Sequence, residues 1–429
     1  MLDYVEALEK HFPERVTVSS IGKSHEGRDI PVIKIGTLQK WRKPAIWIDG
    51  GIHAREWISP AVVLFMIDQL VGEYDNDPFI KKLVDNADWY IAPMLNPDGY
   101  EFSRSSTDPA IRFWRKNMSP EMCGLGENGL SNCCRGVDLN RNFDWFFGEQ
   151  GVSSDPCSDI YNGRHPFSEP ETIAVRDFIM SISNDLKAFI TFHSYSQVLM
   201  FPFGHDVHAY PDDVAQLNAT AIRAARALNA VYGTNYLVGT GADILYAASG
   251  GSDDWVKGKV GVKYSFLFEL RPEESNMNGF LFDPSQIIPT ALETWEAVKV
   301  IADDVLKVYG ANDHNMAQNK GPNVVGALDK MVDSEKEAIT NPKVQIDQAK
   351  QDIVAEKNAI EMSGVVLPPP TVPGEGVVSV GAVATLPHLT IFPSYSQCIE
   401  AVSVCAVDET GEDCKSLQIP CIRILYLLK

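Results

Sequence analysis

Short apolar strands alternate with amphipathic helical stretches along the first 310 residues, and this alternation constrains the fold more than any other feature. Residues 15–21 (RVTVSSI), 30–35 (IPVIKI), 44–49 (PAIWID), 188–193 (AFITFH) and 262–270 (VKYSFLFEL) read as strands. Residues 89–95 (WYIAPML) form another, with Pro93 pushing it toward a sheet edge or a bulge. Ser59-Pro60 reads as the opening of a helix, with Ser59 as cap and Pro60 at the first helical position. Val62, Val63, Met66, Ile67 and Leu70 follow at helical spacing. Residues 213–232 and 284–309 complete the helical set. A chain of this pattern predicts an α/β fold: a mixed, mostly parallel twisted sheet with helices on both faces. Sites in such sheets gather at the carboxyl ends of the strands.

Beyond residue 310 the pattern changes, so the reading divides the chain into a domain at 1–310 and an extension at 311–429. The extension opens with a polar, linker-like stretch at 311–326. Ile339, Ile346, Ile353 and Ile360 then form a thin seven-residue seam, with Pro342, Ala349 and Glu356 at the alternate seam positions. Such a seam suits a solvated helix or a short hairpin partner better than a coiled coil. A proline-rich break at 368–373 separates it from a cysteine-containing end, read as a small stapled module or strand pair.

Acidic residues number 57 and basic residues 37, a net charge of −20. That field repels polyanions, which excludes nucleic acid as a partner, and draws in cationic substrates. The eight cysteines fall into two even groups, Cys123, Cys133, Cys134 and Cys157, and Cys398, Cys405, Cys414 and Cys421. With no C-x-x-C pair, they point to disulfides and an oxidising, extracellular setting. Met1-Leu-Asp-Tyr has neither the basic start nor the apolar core of a signal peptide. No apolar run is long enough to predict a membrane span. Asn117-Met-Ser and Asn218-Ala-Thr match the glycan-acceptor pattern.

The strongest local signal is His53-Ala54-Arg55-Glu56-Trp57, directly after a buried-type strand and the Gly50-Gly51 pair. A borderline-soft divalent cation takes imidazole and carboxylate together, and a His and Glu three residues apart on a turn can converge on one ion. His193, at the end of AFITFH and far downstream, supplies the natural third ligand. The competing reading of a lone H-x-x-E is a surface pair.

Five ordered motifs carry a resemblance. HAREW, GVDLNRNFD, TFHSYSQ, ASGGSDDW and FLFELRP, spread over residues 53–272, resemble the zinc carboxypeptidase A/B family. The resemblance covers about residues 3–309 and implies a sheet of about eight strands and removal of one residue from a peptide's C-terminus. It implies one zinc ion held by His53, Glu56 and His193, with Asp138 hydrogen-bonded to a ligand histidine. It makes Glu269 the general base, an acid set among Phe and Leu whose alternative partner is Arg271, and Arg115 the group that stabilises the oxyanion. Asn140, Arg141 and Tyr246 match residues that grip the substrate's terminal carboxylate. Arg55 and Phe280 match upstream subsite residues.

Asp253 matches the base of the side-chain pocket, where Asp in the B-like branch pairs with substrate Lys or Arg. Gly241-Ala242 also looks B-like, whereas Gly204 looks A-like. The implied reaction is therefore release of C-terminal Lys or Arg, with apolar specificity as the alternative. A catalytically idle peptide-binding homologue is a further alternative, although His53, Glu56, His193, Arg115 and Glu269 are all present. The resemblance pairs Cys134 with Cys157, leaving Cys123 with Cys133; the residues alone allow three connectivities. Its implied partners are peptide or protein C-termini, and its catalytic domain is monomeric. The extension has no counterpart in the family core, and a partner-binding role is one reading of it.

Overall fold

The structure, a computed structural model, describes residues 1–125, 129, 131–276 and 279–310. The linker, seam, proline break and cysteine-containing end expected at 311–429 lie outside the described residues. Among the described residues ten strands run in chain order as β1 (Val16–Lys23), β2 (Asp29–Ile35), β3 (Ala45–Asp49), β4 (Asp88–Ala92), β5 (Met122–Leu125), β6 (Ser131–Cys134), β7 (Leu186–Ser196), β8 (Val198–Phe201), β9 (Leu237–Thr240) and β10 (Tyr264–Glu273). Eight of them form one sheet, in the order β1-β2-β4-β3-β7-β10-β8-β9. Its central pairs, β4 with β3, β3 with β7 and β7 with β10, are parallel. The outer pair β8–β9 is also parallel, while β1–β2, β2–β4 and β8–β10 are antiparallel. β5 and β6 make a separate hairpin.

Strand alternation sorts the side chains onto two faces. Ile46, Ile48, Ile190, Phe192, Phe266 and Phe268 pack in one core cluster, beneath the helices Ile58–Gly72, Val214–Tyr232 and Ile287–Tyr309. Trp47 and Phe189 pack on the opposite face against Val175 and Ile179 of the helix Pro170–Ile182. Each such buried side chain contributes roughly 1.5–3 kcal/mol by leaving water. Ile58–Gly72 is apolar on almost every side because the sheet and Ile287–Tyr309 enclose it.

Two local expectations are corrected. The helix expected to open at Ser59 starts at Ile58 with no side-chain cap, so Ser59 lies inside it. The Ser59 hydroxyl is used elsewhere: it donates to the Phe192 carbonyl at 2.6 Å and accepts from the Gly51 N–H at 3.0 Å. It thus ties the helix to β7 and to the turn after β3. Pro93 does not place its strand at an edge or in a bulge. β4 ends at Ala92 and sits inside the sheet, between β2 and β3. Lacking an N–H, proline ends the ladder there.

Asn117 is fully buried, and its side-chain amide donates to Glu169 and Glu171 at 2.8 and 3.0 Å. That amide is occupied and out of reach of a glycan. Both expected disulfides of the first group are formed, Cys123–Cys133 across the β5–β6 hairpin and Cys134–Cys157. Among the described residues no helix is long and apolar enough to cross a membrane.

Candidate active site

β3, β7 and β10 run in the same direction, so their carboxyl ends meet on one edge of the molecule. β3 gives way to Gly50-Gly51, and Gly51 adopts φ +66°, a left-handed conformation that costs a glycine little. A Cβ at Gly51 would sit 2.7 Å from Met94 Sδ, so the turn also needs the missing side chain. Two residues later the chain presents His53, and one turn after that Glu56.

His53, Glu56 and His193 converge, all buried. His53 Nδ1 lies 2.8 Å from Glu56 Oε1 and 3.1 Å from His193 Nδ1. His193 Nδ1 lies 3.4 Å from Glu56 Oε2. A tetrahedral zinc bound at about 2.0–2.2 Å holds its ligand atoms roughly 3.3 Å apart, so this triangle has the right size. His53 Nε2 faces Asp138 Oδ1 at 3.1 Å, so the proton of a neutral ring belongs on Nε2 and the Nδ1 lone pair faces the cluster. Two imidazole nitrogens and a carboxylate this close repel unless a cation or a proton lies among them. The surface-pair reading of H-x-x-E does not hold here.

Asp138 is fully buried and organises the next ring of contacts. Its Oδ1 also accepts from the Asn140 N–H at 3.0 Å, and its Oδ2 accepts from Arg115 Nε at 2.9 Å. Burial raises its pKa, but the charges of Arg115, His53 and Arg141 outweigh that and hold it well below the usual carboxylate range. Arg115 extends Nη1 to within 3.6 Å of Glu56 Oε1. Burial opposes its charge, yet Asp138 and Glu56 keep it firmly protonated.

Glu269 stands opposite His193 in the β7–β10 ladder, on the face that carries the cluster. No hydrogen bond or ion pair ties its carboxylate to another described side chain. Burial first, then the Glu56 carboxylate, push it up to about 8. Arg271, the alternative partner, is engaged instead by Glu293.

Asn140 and Arg141 occupy the short turn that Asp138 caps. Asn140 Oδ1 accepts from the Ser252 N–H at 3.0 Å, which orients the amide and joins this turn to the segment bearing Asp253. Arg141 is buried, its Nε donating to the Gly151 carbonyl at 2.8 Å. Tyr246 is 60% exposed, after the short helix Gly241–Ile244, yet near enough to influence Arg115. Arg55 donates to the Phe113 carbonyl at 3.2 Å and to Asp159 at 3.0 Å, with its guanidinium 4.6 Å from the Phe280 ring centre.

Asp253 is half-buried; burial, then the neighbouring Asp254, push its carboxyl up to about 7. Asp254 accepts from the Gly204 N–H with both oxygens at 2.9 Å. Gly204 and Gly241 face one another closely: a Cβ at Gly241 would lie 3.7 Å from Gly204 Cα and 3.4 Å from Met200 Sδ. A Cβ at Gly204 would lie 3.8 Å from Asp254 Oδ2, so a side chain there would fill the space beside that carboxylate.

Three participants escaped the sequence reading. The Tyr195 ring meets Phe280 edge-on at 4.9 Å, next to Arg55. Asp49 and Thr191 lie beneath His193, fully buried. Period-two alternation in WID and ITFH puts Asp49, Thr191 and His193 on one sheet face, which was the available signal.

A family model described as zinc carboxypeptidase matches residues 1–297. Carboxypeptidase B of Astacus astacus is 43% identical over 306 residues, covering 71% of this chain and 95% of that protein. Carboxypeptidase A2 of Mus musculus is 45% identical over 293 residues, covering 68% of this chain and 66% of that protein. Among solved structures, thrombin activatable fibrinolysis inhibitor superposes with a TM-score of 0.65 at 39% identity, covering 71% of this chain and 73% of that one. With the fold, the cation-sized cluster and these likenesses in agreement, the chain belongs to the zinc carboxypeptidase family and is a metallocarboxypeptidase, a C-terminal exopeptidase acting on peptides.

Proposed function

We propose that this enzyme removes C-terminal Lys and Arg from peptides, with zinc held by His53, Glu56 and His193. The single observation that carries the ligand assignment is the mutual approach of two Nδ1 atoms and a carboxylate within 2.8–3.4 Å. When bound, zinc supplies Lewis acidity toward a carbonyl oxygen and lowers the pKa of a water. The chain's own residues do the rest. Glu269 accepts a proton from the attacking water and returns it to the leaving amine, a task suited to a carboxyl raised above its ordinary range. Arg115, fixed by Asp138, meets the negative charge that develops on the carbonyl oxygen.

Arg141 and Asn140 bind the terminal carboxylate, and Tyr246, exposed on its loop, closes over it. An internal peptide bond offers no carboxylate to that pair, which makes the enzyme an exopeptidase. Arg55 and Phe280 contact residues upstream of the cut.

Asp253 supports the basic preference. An apolar C-terminal side chain would leave this half-buried carboxyl without a cationic partner, whereas Lys or Arg would pair with its ionised form. Apolar specificity is the second reading. Val198, Met200 and Leu267 form an apolar cluster beside Gly241, and the relatives include a carboxypeptidase A2 as well as a carboxypeptidase B. The two disulfides support a secreted location. The catalytic domain, 1–310, acts as a monomer in this account.

Matched peptides ending in Arg, Leu or Glu, with and without chelator, test the proposal. Arg release that chelator abolishes supports it; faster Leu release moves the pocket to the second reading.

A further inference from the structure

Asp49 is a fully buried carboxylate at the end of β3, held by two neutral donors. Trp47 Nε1 donates to Oδ2 at 2.6 Å, and Thr191 Oγ1 donates to Oδ1 at 2.7 Å. No lysine or arginine pairs with it among the described residues. A carboxylate placed in the centre of a sheet without a cation is expensive to bury and needs a reason.

Thr191 supplies one. Asp49 and Thr191 are register partners across β3 and β7, and His193 is the next residue on the same face. The Thr191 hydroxyl has one proton, which goes to Asp49. Its oxygen therefore faces His193 Nε2, 3.3 Å away, as an acceptor. With Asp49 ionised and able only to accept, the arrangement that satisfies all three groups is Nε2–H donating to Thr191 and Thr191 donating to Asp49. His193 Nδ1 is then left with its lone pair directed at His53 and Glu56. The other imidazole is set differently, with His53 Nε2 directly on Asp138.

We propose that Thr191 and Asp49 are positioning residues for zinc, a hydroxyl-relayed carboxylate that fixes the tautomer and ring plane of His193. The inference rests on the proposed role of His193 as a ligand. It extends the general behaviour of metal-bound imidazoles, whose second nitrogen is oriented by an outer partner at a gain of about 10–100-fold in affinity.

The test is zinc affinity of the full chain by chelator competition, with folding followed by circular dichroism. Thr191→Val should weaken zinc binding about 10–100-fold, and Thr191→Ser, which keeps the hydroxyl, should restore it to within about threefold of wild type. Asp49→Asn, whose Oδ1 can still accept from Thr191, should fall between them. Wild-type affinity in folded Thr191→Val would overturn the relay. His193→Ala separates the two levels: unchanged zinc binding there sinks the ligand assignment itself, whereas lost binding there with a silent Thr191→Val sinks only the relay. Should Thr191→Val not fold, nitrogen NMR of the metal-free wild type decides. A His193 ring protonated at Nε2 supports the proposal, and one protonated at Nδ1 contradicts it.

Discussion

Glu269 and His193 are register partners in the parallel ladder between β7 and β10, so a candidate base and a candidate ligand are placed by one pair of backbone strands. Period-two alternation turns both side chains to the same face, while their neighbours Phe192 and Phe268 enter the core on the other. Glu269→Gln keeps the shape and removes the basic oxygen. We expect kcat to fall by at least about 10²–10⁴-fold with zinc content unchanged. Near-normal turnover by the folded, zinc-loaded variant would remove the base from this account.

Asp253→Ile tests the pocket. The variant should lose preference for C-terminal Arg and gain apolar residues, shifting the Arg-to-Leu ratio of kcat/KM by about 10²-fold or more, the scale of an unpaired buried polar group. An unmoved ratio would assign selectivity elsewhere.

Protonation of the same residue gives an independent check. Its folded pKa, about 7, lies above its reference value, so at pH 6 the empty pocket holds a proton that the unfolded chain has lost. Stability from this group is present below the reference value and fades as pH rises through about 7. A cationic side chain favours the ionised form. Binding of a non-hydrolysable C-terminal-Arg ligand at pH 6 should therefore release about one proton, read by calorimetry in buffers of different ionisation enthalpy. A Leu-ended ligand should release none through this group, and equal release by both would contradict the pairing.

Arg141 tests carboxylate recognition. Wild type should discriminate strongly against peptides whose C-terminus is amidated. Arg141→Ala should raise KM for free acids and shrink that discrimination, with little change for the amides. Retained discrimination would place the carboxylate elsewhere.

The motifs disclosed the chemistry because ligand chemistry demands particular residue types, and the apolar strands disclosed the sheet because burial demands alternation. What stayed hidden depends on contacts between distant segments. Ser59 reads as a helix cap until β7 offers it the Phe192 carbonyl. Pro93 reads as an edge residue until β4 is seen to stop before it. Thr191 and Asp49 acquire meaning only through the β3–β7 register, and Asn117 loses its glycan-acceptor reading only when Glu169 and Glu171 enclose its amide.

The central claim is that His53, Glu56 and His193 surround one cation. Zinc-edge anomalous diffraction from crystals of the purified protein tests it most directly. The account predicts a single strong peak within about 2.0–2.2 Å of both Nδ1 atoms and the Glu56 carboxylate. A fully zinc-loaded protein with no peak there, or with its peak at another group of residues, would contradict it.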